Sequence, residues 1–237
     1  MERFFGPGLP RFSGTTDAAM EGCPRTALAV FKGHPRHLQA HLRRLQRAAE
    51  ALQQPGAWLE PLASEIGAQI LIWMDRPDAA QASALRLALH PGLGLLRVRL
   101  EPLPASPQPY LLAPMPHPMA HRKNDPLLRH KGLGGSWGPA ILAEARSLGA
   151  ADALLVWTDG SLAETAIAAV GVEREGSLTI PLPEGRVASL AEQLDLPAWA
   201  TQRGLRIEQG SLGLAQARQG QLWCLNALRG IWPAQLL

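Results

Sequence analysis

Three lysines stand in this 237-residue chain, at positions 32, 123 and 131, among 23 basic side chains, so 23 − 3 = 20 are arginine. Chemistry that needs a primary amine as nucleophile, imine formation above all, must use one of these three. Lys32 lies at the tip of a hairpin expected from Phe31-Lys32-Gly33-His34-Pro35, where water keeps an amine protonated. Lys123 sits in the polar loop His121-Arg122-Lys123-Asn124-Asp125. Lys131 falls between the apolar pair Leu127-Leu128 and a glycine stretch, Gly132-Leu133-Gly134-Gly135, that lets a flat ring approach the backbone. A desolvated lysine releases its proton more easily and becomes a nucleophile. A solvated surface lysine accounts for the same residues, and composition alone leaves both readings open.

The carboxylate that stands out is Glu164, in the apolar run Leu162-Ala163-Glu164-Thr165-Ala166-Ile167-Ala168-Ala169-Val170 just past an Asp159-Gly160 turn. A buried carboxylate there is costly unless something pairs with it; an exposed glutamate on a strand edge fits the pattern equally well. Other constellations carry less. His90-Pro91-Gly92-Leu93-Gly94 lacks the third glycine of a dinucleotide fingerprint, and the glycines after Lys131 follow the lysine, the reverse of a Walker A loop. The seven histidines (34, 37, 41, 90, 117, 121 and 130) show no HExxH or HxH spacing, and Cys23 and Cys224 form no CxxC pair, so no metal is expected.

The elements that must position these groups read as follows. Residues 26–31 form a strand that leads through a turn into the clearest helix of the chain, with Leu38, Leu42, Leu45, Ala49 and Leu52 on one face, ending before Pro55-Gly56. A second amphipathic segment spans about 58–68, followed by an apolar run at 70–74 and two alternating strands at 83–90 and 95–103. Six prolines between Pro104 and Pro118 suggest a connection between two lobes. A helix over 136–148 follows, then a hairpin around Asp159-Gly160 with 153–158 and 161–173 as its arms, a turn at Glu175-Gly176, a helix near 189–204 bent by Pro197, a short helix near 212–218 and a strand at 222–228. The expected domains are a small α+β lobe (1–105), a connection (106–120) and a second lobe (121–237).

Hydrophobic residues at 46% and charged residues at 18% exclude a disordered chain. The net charge of +3 comes from scattered arginines without a dense run or interleaved aromatics, so nucleic acid is not an expected partner; a small anionic substrate is. No stretch has the eighteen or so apolar residues of a membrane span, the start MERFFGPGLPRF lacks the apolar segment of a signal peptide, and two cysteines suit a reducing compartment, so a soluble cytoplasmic protein is expected.

Several ordered motifs together resemble the class IV aminotransferase family, and within it the aminodeoxychorismate lyases most. The run from Cys23 to Leu52 contains an HLxRL motif, His41-Leu42-Arg43-Arg44-Leu45. Lys131 is followed by a helix and then, 164 − 131 = 33 residues on, by Glu164 after an Asp-Gly turn. Asn226-Ala227-Leu228 closes the series, and Gly22-Cys23 with Thr26-Ala27 is the part most similar to the lyases. The matches span about residues 22–234.

The resemblance implies an α+β, two-lobed fold type IV enzyme with a small α/β lobe and a larger β-barrel-like lobe with helices, 121–237 being the cofactor-binding lobe. It implies pyridoxal 5'-phosphate as cofactor, Lys131 as the Schiff-base lysine and proton shuttle, and Glu164 against the pyridine nitrogen. Arg44 would hold the phosphate, helped by the Asn226-Ala227 backbone, and Thr26 would assist the substrate. Where the family has a Gly-I/T-[TM]-R segment this chain has the shorter Gly185-Arg186-Val187-Ala188-Ser189, with Ser189 as the substitute at a helix start. The asparagine of the family's S-x-N segment is replaced by the run Ala168-Ala169-Val170, and Trp137 stands near the place of a tyrosine that often follows the lysine. The implied activity is a lyase that forms 4-aminobenzoate and pyruvate, in a homodimer. A branched-chain or D-amino-acid transaminase and a non-catalytic binding member of the family are the alternatives.

Overall fold

The computed structural model describes residues 1–7, 20, 22–75, 82–133, 135 and 137–237. Gly134 and Ser136, the latter the expected first residue of a helix, lie outside the described residues. The chain divides into two compact units, one of residues 1–104 with 130–135, the other of 105–129 with 136–237.

Among its described residues unit 1 is an antiparallel sheet with two α-helices. Its strands are β1 (Glu2–Phe5), β2 (Arg25–Phe31), β3 (His34–Pro35), β4 (Ala82–His90) and β5 (Leu95–Pro102), in the order β1-β5-β4-β2-β3. The helices are α1 (Leu38–Ala51) and α2 (Leu62–Met74). The period of two on β2 sends Leu28 and Val30 to the side where Leu42 and Leu45 of α1 and Ile66 and Ile70 of α2 arrive at helical spacing, and all six are fully or almost fully buried. Each such side chain contributes about 1.5–3 kcal/mol by leaving water, which holds α1 firmly on β2. The apolar run 70–74 belongs to α2: Ile70 and Trp73 continue the face begun by Ile66, while Leu71 and Ile72 point outward. A short apolar run suits strand or helix, and here the spacing of its neighbours decides.

Unit 2 holds β6 (Leu111–Pro116), α3 (Trp137–Ser147), β7 (Asp152–Val156), β8 (Leu162–Thr165), β9 (Ala169–Arg174), β10 (Ser177–Pro181), α4 (Leu190–Leu194), α5 (Leu196–Gln202), β11 (Arg206–Gly210), α6 (Leu214–Gln219), β12 (Gln221–Asn226) and β13 (Gly230–Leu236). The strand order is β11-β10-β9-β12-β13-β6-β7-β8. β8 ends the sheet and β9 stands third, yet only residues 166–168 separate them in sequence, so the sheet must curl to bring them together. One layer of core, with Leu112, Leu154, Leu162, Val170 and Leu222, fills one face of the strands; Ala113, Met115, Ala153 and Leu155 pack on the other with Ala145 of α3.

Three expectations need correction. The proline-rich 106–120 is not a free connection: β6 lies inside it, pairing in parallel with β7 over Leu112–Pro116 and with β13 only at Leu111 and Leu112. Pro114 and Pro116 thus fall where β6 has one paired neighbour, and a missing N–H is tolerated there. Residues 130–135, expected in the second lobe, pack with unit 1. The long arm expected over 161–173 is two strands, β8 and β9. The Thr165 side chain donates to Asp152 Oδ2 at 2.6 Å and accepts from the Ala168 N–H at 2.8 Å, and the Ala166 N–H donates to Asp152 Oδ1 at 3.1 Å. Those bonds turn the backbone out of the strand.

Among the described residues no helix is long and apolar enough to cross a membrane, and no group of three or more His, Cys, Asp or Glu side chains could hold a metal ion.

Candidate functional site

The three lysines are placed differently. Lys32 is exposed at the β2–β3 turn. Lys123 Nζ donates to Asp159 Oδ2 at 2.6 Å and to Ser161 Oγ at 2.9 Å, which ties it to the β7–β8 turn and holds the Asp159 carboxyl well below the usual carboxylate range. Lys131 is half-buried and held by its backbone: its carbonyl accepts the Arg25 N–H at 2.9 Å, at the first residue of β2. Gly132 makes this docking possible. Its φ is +103°, and a Cβ there would stand 2.3 Å from the Cys23 carbonyl oxygen, so only glycine fits beside the strand.

Around Lys131 unit 1 gathers polar groups at the end of its apolar core. Thr26 follows Arg25 on β2 and shares the inward face of Leu28 and Val30. His41 lies on α1, one turn before Leu45. Thr26 Oγ1 and His41 Nδ1 are 2.6 Å apart, with Thr26 4% exposed and His41 fully buried. Burial pushes the His41 pKa down to about 3, and the positive charges of Arg44, Lys131 and His37 add to the effect. Arg44 is half-buried where its neighbour Arg43 is exposed. Lys131, Thr26 and Arg44 therefore belong to one cluster in unit 1.

Unit 2 carries the other expected residues. Glu164 is on β8, on the face of Leu162, and is 9% exposed; its Oε1 accepts the Val187 N–H at 3.3 Å. The segment that supplies this N–H is fixed by Arg186. That buried guanidinium donates to both Glu192 carboxylate oxygens, at 2.8 and 2.9 Å, and its Nε to the Pro181 and Leu182 carbonyls at 3.0 and 3.1 Å. Ser189, 8% exposed, caps α4, its Oγ accepting the Ala191 N–H at 3.2 Å. Asn226 builds the turn after β12: its Oδ1 accepts the Leu228 and Arg229 N–H groups at 3.0 and 2.9 Å, and its Nδ2 donates to the Ile167 carbonyl at 3.3 Å. The Asn226 side chain is thus spent on the turn, and its backbone, with buried Ala227, is what remains to meet a ligand.

Two residues of consequence went unread in the sequence. His41 stands out in the sequence only as a member of the HLxRL motif. Asp152, fully buried at the start of β7, accepts from Thr165, Tyr110 and the Ala153 and Ala166 N–H groups and so organises the β8–β9 corner next to Glu164. An aspartate opening an apolar strand was the available signal. A groove of about 240 Å³ in unit 2, lined in part by Tyr110, Arg146, Ile167 and Arg229, contains none of the expected residues.

The family model described as amino-transferase class IV matches residues 25–237. No curated protein matches the sequence. Among solved structures, a hypothetical aminotransferase from Mycobacterium tuberculosis, with alpha-ketoglutarate and PMP bound, is similar at 22% identity and a TM-score of 0.82 over 98% of this chain and 87% of that one. A Legionella pneumophila protein provisionally assigned as a 4-amino-4-deoxychorismate lyase is similar at 19% identity and a TM-score of 0.74 over 95% and 87%. A Thermotoga maritima protein provisionally assigned as a branched-chain amino acid aminotransferase is similar at 14% identity and a TM-score of 0.75 over 99% and 86%.

Proposed function

Because the chain belongs to the class IV aminotransferase family, whose members use pyridoxal 5'-phosphate, we propose that it is an aminodeoxychorismate lyase, forming 4-aminobenzoate and pyruvate. When bound, the cofactor supplies an electron sink for a carbanion at the substrate's α-carbon. The donor set fits that group. Unit 1 offers an amine at Lys131 and a half-buried guanidinium at Arg44, suited to an aldehyde and a phosphate. Unit 2 offers a buried carboxylate at Glu164, suited to a pyridinium nitrogen, and the backbone of the Asn226-Ala227 turn for further phosphate contacts.

In this reading Lys131 Nζ would hold the cofactor, and its amine would take the α-proton and give a proton to the departing pyruvate. Glu164 would hold the ring nitrogen in its protonated form by its negative charge. Ser189, at the start of α4, would be a further polar group available to the phosphate. The observation that favours the lyase over a transaminase is Thr26: a buried hydroxyl in the cluster of Lys131, at the position that resembles the lyase threonine.

The test is a pyruvate assay on the purified protein with aminodeoxychorismate. Pyruvate release is expected, from a yellow protein whose colour and activity are lost in Lys131→Ala. Amine transfer from an amino acid to α-ketoglutarate without pyruvate release would make the protein a transaminase. A colourless protein that cannot be reconstituted with the cofactor would make it a binding member of the family. A homodimer and a cytoplasmic location accompany the proposal and are read by sedimentation and by fractionation of the source cells.

A further inference from the structure

His41 has two ring nitrogens with different surroundings. Nδ1 is 2.6 Å from Thr26 Oγ1, whereas Nε2 is buried and has no hydrogen-bond partner among the described residues. A neutral imidazole carries one N–H, so two arrangements are open. With the proton on Nε2, a buried N–H goes unbonded and the Thr26 hydroxyl is consumed as donor to Nδ1. With the proton on Nδ1, that N–H donates to Thr26 Oγ1, and what stays buried is a bare lone pair.

Orphaned buried N–H groups are the rarer of the two situations. The contrast with His117 is instructive. Its Nδ1 accepts the Met119 N–H at 3.0 Å, so its proton is on Nε2, which is also without a hydrogen-bond partner. The His117 ring, however, packs against two indoles, Trp157 stacked with ring centres 3.8 Å apart and Trp137 inclined at 62° with centres 5.4 Å apart, a π-rich setting for an N–H. No aromatic ring lies against His41 among the described residues. Arg44 and Lys131 instead lie near enough for their positive charges to act on His41, a setting better met by a lone pair than by a second N–H dipole.

We propose that His41 is a positioning residue, whose Nδ1–H holds Thr26 Oγ1 as an acceptor so that the hydroxyl proton is kept for an oxygen of the substrate bound at Lys131. The Thr26 hydroxyl makes no other hydrogen bond among the described residues, which leaves its proton unspent there. The pairing also fixes the hydroxyl rotor, since β2 and α1 are locked together by the core beneath them. This inference rests on the proposed reading of Lys131 and Thr26, and it adds a residue whose role needs no titration: His41 stays neutral throughout the working pH range.

Two measurements test it. In the cofactor-free protein, two-bond nitrogen–proton NMR of His41, assigned by its loss in His41→Asn, should show Nδ1 protonated and Nε2 bare, unchanged between about pH 5.5 and 8.5. The opposite tautomer overturns the proposal whatever the activity. In the holoenzyme, Thr26→Val and His41→Leu should each lower kcat by about 10- to 100-fold at similar KM. The double variant should be no slower than Thr26→Val alone, because both changes remove one interaction. His41→Asn, whose side-chain N–H reaches the position of Nδ1, should restore most of the rate. Multiplicative losses in the double variant, or full activity in Thr26→Val, overturn the positioning role while Lys131→Ala still reads the cofactor assignment separately. Activity that survives Lys131→Ala would instead sink the proposed function.

Discussion

At the scale of the residue, Glu164 shows how placement gives a common side chain a special task. Its carboxylate is 9% exposed in a strand covered on both faces and accepts the Val187 N–H at 3.3 Å. In the proposed function a negative charge kept there would be a preorganised partner for a cationic ring nitrogen. Glu164→Gln keeps the shape and removes the charge, so cofactor should still bind while kcat drops by about 10²-fold; unchanged turnover, read alongside the cofactor absorbance, would show that this carboxylate is not the ring's partner. Glu164 was marked in the sequence as a carboxylate inside an apolar run, with burial and exposure on a strand edge fitting equally well until the structure placed it. Lys131 was marked by scarcity, one of three lysines, which singles it out without assigning it a role. His41 was not, because a histidine on the buried face of a helix reads as core, and its meaning depends on Thr26 arriving from another element fifteen residues away in sequence.

At the scale of the element, the segment from Gly185 to Ser189 carries Val187 to Glu164 and starts α4, and it is short. Its rigidity comes from one buried ion pair. Arg186 is 1% exposed in its side chain and Glu192 10%, and the guanidinium's remaining reach is taken by two carbonyls. Removing one partner leaves an uncompensated buried charge, so Glu192→Ala should lower stability by about 3–5 kcal/mol in urea unfolding, and an Arg186→Met, Glu192→Leu pair should regain most of it. If the single change costs no more than a surface substitution, the pair does not organise the segment. Periodicity made α1 and the strands β2, β4 and β5 legible, since their burial follows from local spacing alone, but it gave no sign of β1 or of the two-residue β3. It failed where side-chain hydrogen bonds decide: Thr165 and Asp152 break the long strand into β8 and β9. It failed also at β6, where prolines suggest a linker unless the one-sided pairing of Pro114 and Pro116 is known.

At the scale of the whole molecule, the buried histidines give a pH dependence whose sign can be worked out. Burial pushes His41 down to about 3 and His117 to about 4, against an ordinary 6.5. In the unfolded chain both take up protons as pH falls through 6.5, while in the folded chain they do not until far lower. The folded state is therefore fully favoured above about pH 6.5 and loses about 1.4 kcal/mol per pH unit for each histidine below it, until pH reaches the folded values. Asp152 works the other way, because burial raises its carboxyl above the ordinary 3.8 despite its hydrogen bonds, so it binds its proton earlier folded than unfolded. One group offsets at most about 1.4 kcal/mol per unit against about 2.8 for two, so the histidines win. The urea midpoint of the cofactor-free protein should fall steadily from about pH 6.5 to 4. In a His41→Asn, His117→Asn variant, compared as the slope of stability against pH rather than its absolute value, the fall should nearly vanish. An equal slope in both proteins would place the acid sensitivity in the carboxylates.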